Sequence, residues 1–148
     1  MGIKSLTGSD CVVSAALYIY AFDGSGALCV LAGRRGSTAP TGAGLLNPVM
    51  GMLDEGESAE DAAVREAFEE TGLDVCVSDI EDMGIGASGR NRSFCLFLDV
   101  LTDDISLGSG DGENEQFSWR VVSSLDLGDW AFGTGHKAVD FSYAFSLV

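Results

Sequence analysis

Histidine is nearly missing from this chain: His136 is the only one in 148 residues. The four cysteines, Cys11, Cys29, Cys76 and Cys95, are scattered and form no C-x-x-C pair. Together these scarcities exclude a zinc site of the usual ligand set. Each thiol lies in or beside an apolar stretch, which reads as buried cysteine in a reducing, cytoplasmic setting. Cations are also few, 8 Lys and Arg against 23 Asp and Glu, for a net charge of −15. No basic stripe exists to follow a nucleic-acid backbone, so no nucleic-acid polymer is expected as a partner. No apolar run approaches the roughly 18 residues a membrane span needs. The opening M-G-I-K-S-L-T-G-S-D has no apolar signal-peptide core. Its Met-Gly start is not followed by Ser or Thr at the lipidation position, so neither secretion nor acylation is expected. A G-x-x-x-x-G-K-[ST] phosphate loop is likewise missing.

What the chain does have is acid, concentrated in Gly51 to Leu73, G-M-L-D-E-G-E-S-A-E-D-A-A-V-R-E-A-F-E-E-T-G-L. This stretch is crowded with carboxylates and holds one cation, Arg65. It reads as a glycine turn, a helix and a glycine stop. Ser58 is a good N-cap with Asp61 three residues on, and Gly72 suits a left-handed C′ position. At 100° per residue Val64, Ala67, Phe68 and Thr71 share one face, the expected buried one. Glu66, Glu69 and Glu70 share the opposite face. Like charges at i,i+4 cost a helix about 0.2–0.5 kcal/mol per pair. A cation among them reverses that sign. Mg²⁺, a hard ion commonly held by carboxylates and substrate phosphates, fits best. Arg65 stands i,i+4 from Glu69 and can pin it, and Glu57 suits the positive end of the helix dipole.

The spacing of Gly51, Glu57, Arg65-Glu66, Glu69-Glu70 and Gly72 resembles the Nudix box, with all its fixed positions filled. Ala67 and Leu73 hold its two aliphatic places, Ala67 being small for its position. The resemblance implies a Nudix-type α/β/α sandwich with a mixed β-sheet. It implies hydrolysis of a nucleoside diphosphate linked to a further group. By the family pattern Glu66, Glu69 and Glu70 hold Mg²⁺, for which Mn²⁺ can substitute, with the Gly51 carbonyl as a further ligand. Glu66 or a loop carboxylate such as Glu115 orients the attacking water, and Arg65 and Glu57 hold the helix carboxylates in place.

The rest of the chain reads as one domain over 1–148, with 1–10 a loose leader. At 46% hydrophobic and 21% charged it is globular. The apolar run 11–22 predicts a buried strand. Asp23-Gly24-Ser25-Gly26 predicts a turn, and 27–35 a second strand closing a hairpin. That strand ends in Arg34 and Arg35, two cations suited to substrate phosphates. A loop over 36–44 leads to a short strand over 45–50. There G-L-L-N-P-V-M-G resembles the segment before the box in triphosphate-hydrolysing members, although Leu46 replaces an aromatic and Met50 a glycine. Asn47 offers donor and acceptor together to a purine edge, and it equally suits a turn before Pro48. Further strands are expected over 73–87, broken at Ser78-Asp79, and over 93–101. A polar loop over 102–116 carries Glu113 and Glu115 and precedes a strand holding Trp119. A helix is expected over 135–148.

The expected substrate is a nucleoside triphosphate, ordinary or oxidised, cut to a monophosphate and pyrophosphate. The alternative is ADP-ribose or a nucleotide sugar. A non-catalytic ligand sensor and a plain cation-binding protein are the readings from other classes. The expected partners are a small-molecule nucleotide and no membrane, with a homodimer as the open alternative to a monomer.

Overall fold

The computed structural model describes residues 12–37, 39, 41–86, 89–99, 114–131, 134 and 138. Seven strands form one mixed sheet. In chain order the elements are β1 (Ser14–Phe22), β2 (Leu28–Arg35), β3 (Leu46–Asn47), β4 (Val49–Met52), α1 (Ala59–Thr71), β5 (Glu81–Ile85), β6 (Asn91–Phe97) and β7 (Asn114–Val121). β1 is the strand around which the others assemble. It runs parallel to β6 and antiparallel to β2 and β4. Its continuous apolar sequence follows from burial on both faces. Ala15, Leu17 and Ile19 enter one core; Ala16, Tyr18 and Tyr20 enter the other.

The expected hairpin is present, its turn held by Asp23, whose Oδ1 accepts the N–H groups of Ser25 and Ala27. β1 and β2 pair only where Tyr20–Phe22 meets Leu28–Val30. Residues 46–52 join each strand further along. β3 pairs with Gly33-Arg34 of β2, and β4 pairs with Ser14–Leu17 of β1. Pro48, which has no N–H to give a ladder, marks the break between them. The single strand expected over 45–50 is therefore two strands, and Gly51 lies inside β4 rather than in a turn. The chain turns instead at Glu55-Gly56.

β7 pairs with the far edge of β2, and β5 with β6. The strand expected from Leu73 does not form over 73–76. Val77–Asp79 is a 3-10 turn, and pairing starts only at Glu81. Two further 3-10 turns, Val122–Ser124 and Leu127–Asp129, follow β7. The leader and most of the polar loop lie outside the described residues. So does the C-terminal helix, save for Ala138, which is helical.

α1 covers one face of the sheet. On the other, the carbonyls of Thr134 and Ala138 accept the hydroxyls of Tyr18 (3.4 Å) and Tyr20 (2.9 Å). The caps of α1 are those the sequence predicts: Ser58 accepts the Asp61 N–H, and Gly72 sits at φ 78°, the left-handed region where a side chain is penalised. Of the face the sequence predicts, Ala67 and Thr71 are buried and Phe68 is not. The buried positions are Ala62, Ala63, Ala67 and Thr71, while Phe68 is 61% exposed. The helix has turned its small residues, not its largest apolar one, onto the sheet. Alanines let the backbones approach closely, and this brings Glu66 and Glu70 within reach of β4.

Candidate functional site

α1 lies along β4, and Met50, Gly51 and Met52 each meet one polar side chain of the helix. The Met50 N–H donates to Glu70 Oε2 at 3.2 Å. Gly51 faces the Glu66 carboxyl group: a Cβ built there would lie 2.7 Å from Glu66 Cγ and closer still to the carboxyl atoms. The Met52 carbonyl accepts from Arg65 Nη2 at 3.0 Å. Strand alternation makes this possible. Val49 packs toward α1, and Met50 packs into the opposite core. Met50 can therefore stand where the Nudix pattern has a glycine, because its side chain leaves the site; Gly51 cannot be exchanged so freely.

Arg65 holds the cluster together. Its Nε and Nη2 donate to the two oxygens of Glu57 at 2.8 and 2.9 Å, a two-point grip. Nη1 donates to Glu66 Oε1 at 2.9 Å and to Glu69 Oε2 at 3.1 Å. Nε also lies 3.3 Å from Asp54 Oδ2. The Asp54 N–H donates to Glu57 Oε1 at 2.9 Å. These donors, Arg65 above all, pull the Glu57 carboxyl down to about 2, and the carboxylates raise Arg65 above its ordinary value. The predicted pinning of Glu69 by Arg65 is present, but Glu57 and Glu66 share the same guanidinium.

Among the described residues no three acidic, histidine or cysteine side chains are gathered into a ready cage for an ion. Glu66 and Glu69 face Arg65, and Glu70 turns to the Met50 amide. The donor set nevertheless fits a hard divalent cation. Its donors are all carboxylate and carbonyl oxygen, and Glu66 sits in a space that a Cβ at position 51 would fill. A shallow cavity of ≈ 280 Å³ opens beside the start of α1, bounded by Val12, Leu53, Glu57, Glu60 and Arg92. It borders Glu57 but none of Glu66, Glu69 and Glu70, and Arg92 is paired there with Asp82.

The residues predicted to meet the substrate separate. Arg34 is exposed and donates from Nη1 to the Gly44 carbonyl at 2.7 Å. Arg35, the last residue of β2, is buried, with Nε on the Thr41 carbonyl at 2.8 Å, so it ties down its own loop. The pairing of β2 with β7 shifts register between Arg34 and Arg35, and the two side chains part there, which their adjacency in sequence conceals. Asn47 is 1% exposed, and its Oδ1 has no hydrogen-bond partner. Leu46 enters the core away from α1, so Asn47 faces the α1 side of the sheet. Its cross-strand partner is Gly33, across which the Phe117 ring lies. Phe117 and Trp119 belong to the α1-side core. Asn47, Phe117 and Trp119 thus share a sheet face with the acidic helix. Phe117 was not singled out from the sequence; its place two residues before Trp119 in one strand is the signal that puts both on one face. Glu115 falls on β7 between Asn114 and Gln116, with its side chain outside the described residues, and Glu113 lies outside them altogether.

A family profile described as NUDIX domain matches residues 12–139. The ADP-ribose pyrophosphatase of Escherichia coli (strain K12) is 40% identical over 91 residues, covering 58% of this chain and 43% of the relative. The chain thus spans less than half the length of the curated relatives it matches. Among solved structures, a C. elegans Ap4A hydrolase binary complex superposes with TM-score 0.67 at 20% identity, over 91% of this chain and 99% of that one. The NUDIX domain of Shewanella oneidensis NrtR complexed with ADP ribose gives TM-score 0.65 at 17% identity, over 90% and 86%. At these identities the superpositions establish the fold.

Proposed function

This chain belongs to the NUDIX domain family, and from that premise we propose that it hydrolyses a pyrophosphate bond in a nucleoside diphosphate linked to a second group. The observation that carries this reading is the intact acidic row of α1 laid along β4. Four box side chains, Glu57, Arg65, Glu66 and Glu69, are joined through one guanidinium, and Glu70 is fixed by a strand amide. Glu66, Glu69, Glu70 and the Gly51 carbonyl are the groups that would hold a divalent cation, Mg²⁺ in the first instance. When bound, such an ion offsets phosphate charge and lowers the pKa of a bound water. The chain's own residues supply position. Arg65 and Glu57 set the row, and Glu66 or Glu115 orients the attacking water. Asn47 offers an unpartnered acceptor to an N–H of the base, with Phe117 and Trp119 beside it. Arg34, exposed, is available to a phosphate; Arg35, buried on its loop, holds that loop.

ADP-ribose is the first substrate to test, since the 40% identical relatives are ADP-ribose pyrophosphatases. A nucleoside triphosphate is the second reading, favoured by G-L-L-N-P-V and by the orphaned Asn47 oxygen. Both readings require a nucleoside monophosphate as a first product. Purified protein with Mg²⁺ or Mn²⁺ is incubated with a nucleotide panel, and early time points are separated by chromatography. AMP with ribose phosphate identifies the first substrate; a monophosphate with pyrophosphate identifies the second. A nucleoside diphosphate with orthophosphate appearing first would overturn the proposed bond.

A further inference from the structure

The distance at which the acidic row stands from the sheet is set by one missing side chain. Gly51 does not have the positive φ of the chain's left-handed glycines. Its backbone is ordinary strand, paired with Ala15, and any residue could adopt it. What excludes a side chain is the Glu66 carboxyl group, which occupies the place where a Cβ would be. The same carboxyl receives Arg65 Nη1 at 2.9 Å, and Arg65 in turn holds Glu57 and the Met52 carbonyl. Displacing Glu66 therefore disturbs the other ligands of that guanidinium. Alternation leaves no equivalent constraint at Met50, which faces the other core.

We propose that Gly51 is a positioning residue whose absent side chain forms the seat of the Glu66 carboxylate. β4 then acts as a template for the row, with Met50 setting Glu70, Gly51 setting Glu66 and Met52 setting Arg65. Its metal arm rests on the proposed hydrolase reading; its stability arm does not.

The test is a cycle of Gly51→Ala, Glu66→Ala and their combination, with Glu66→Asp combined with Gly51→Ala as a fourth variant. In EDTA, Gly51→Ala in the otherwise native chain should lower Tm by about 3–5 °C, because the flexible end of Glu66 gives way and loses its hydrogen bond to Arg65. In the Glu66→Ala background the same substitution should change Tm by less than about 2 °C, because the seat is empty. An equal fall in both backgrounds would overturn the proposal, since it would place the harm in the backbone. The shorter Glu66→Asp should recover part of the Tm lost to Gly51→Ala, which keeps the test open if Gly51→Ala alone folds poorly. No recovery would count against the seat. For the metal arm, Mn²⁺ binding is followed by calorimetry. Gly51→Ala should weaken it about 10–100-fold, the range for losing a group that orients a ligand. Unchanged Mn²⁺ affinity in a folded Gly51→Ala protein would refute the positioning role. If the native chain binds no Mn²⁺, the hydrolase reading fails while the Tm cycle still decides the seat.

Discussion

The acidic row and Asn47 lie on the same face of the sheet and are built in opposite ways. Arg65, at the centre of the row, is 25% exposed in its side chain and makes hydrogen bonds to three carboxylates and one carbonyl. Asn47 is all but sealed from water, yet its Oδ1 touches no donor. A paired polar cluster stabilises the fold that holds it. An orphaned buried acceptor costs about 1–3 kcal/mol, and the fold tolerates it until something donates to it. The row's polar groups are paired with one another, whereas Asn47 keeps one buried acceptor without a donor. The first region should answer to mutation through catalytic rate and stability, the second through substrate affinity.

The largest effect should come from the row. Glu66→Gln or Glu70→Gln preserves shape and removes charge. Either should lower kcat by about 10²–10⁴-fold, the range associated with losing a positioned acid–base group, with the circular dichroism spectrum unchanged. Asn47→Ala should instead raise KM by about tenfold and leave kcat within a factor of a few. If the two sets of kinetic constants were exchanged, the division of labour between the regions would be wrong. Arg65→Lys comes next. A lysine cannot grip Glu57 at two points while also reaching Glu66 and the Met52 carbonyl. Hydrogen bonds to charged groups contribute about 1.5–3 kcal/mol when buried. Since Arg65 is partly solvated, a loss of about 2 kcal/mol is expected, read as a lower urea midpoint at unchanged m-value. A variant as stable as the native chain would mean that the guanidinium network is ornamental to the fold.

These regions also differ in how far they could be read from sequence. The row is local. Its spacing, the Ser58 and Gly72 caps, and the i,i+4 reach of Arg65 to Glu69 are all visible within one helix. The helix face is legible only in part: 100° spacing puts Ala67 and Thr71 on the buried side, but it also puts Phe68 there, which is exposed. Close packing of Ala62, Ala63 and Ala67, which lets Glu66 and Glu70 touch β4, depends on backbone approach rather than on hydrophobicity. The surroundings of Asn47 are non-local. They bring together Gly33 of β2, Asn47 of β3 and Phe117 of β7, and no periodicity in one segment shows that three strands align there. Arg34 and Arg35 are neighbours and read alike in sequence, yet the strand shifts register between them, and one is exposed while the other is buried.

Stability and affinity can be separated at Asn47 alone. Asn47→Leu replaces an amide whose buried Oδ1 has no partner by an apolar group of similar size. It should be neutral or stabilise the free protein by up to about 1 kcal/mol, because no hydrogen bond to Oδ1 is lost. The same change should raise KM at least as much as Asn47→Ala. Destabilisation by 2 kcal/mol or more would show that the amide is held by partners in solution, and the contrast with the row would collapse.

The smallest effect is expected in the acid limb of stability, and it bears on whether charge or shape makes the row. The Glu57 carboxyl titrates at about 2 in the folded chain against an ordinary value of 4.5, chiefly because Arg65 donates to it and secondly because the Asp54 N–H does. The folded state therefore binds this proton more weakly than the unfolded chain. Stability from the group is fully present above about pH 4.5 and is lost as pH falls toward 2. Arg65 stays charged throughout, so no opposite titration offsets it. Asp54, Glu66 and Glu69, which face the same guanidinium, are common to both proteins and largely cancel in a difference. Glu57→Gln should thus be less stable than the native chain at pH 7, and the gap in urea midpoint should narrow steadily from pH 4.5 to the lowest pH at which both still fold. A gap that stays constant would mean that Glu57 acts by filling space and accepting bonds in a way glutamine also fails to do at low pH. The row would then be held by geometry alone, and the electrostatic half of its contrast with Asn47 would have to be given up.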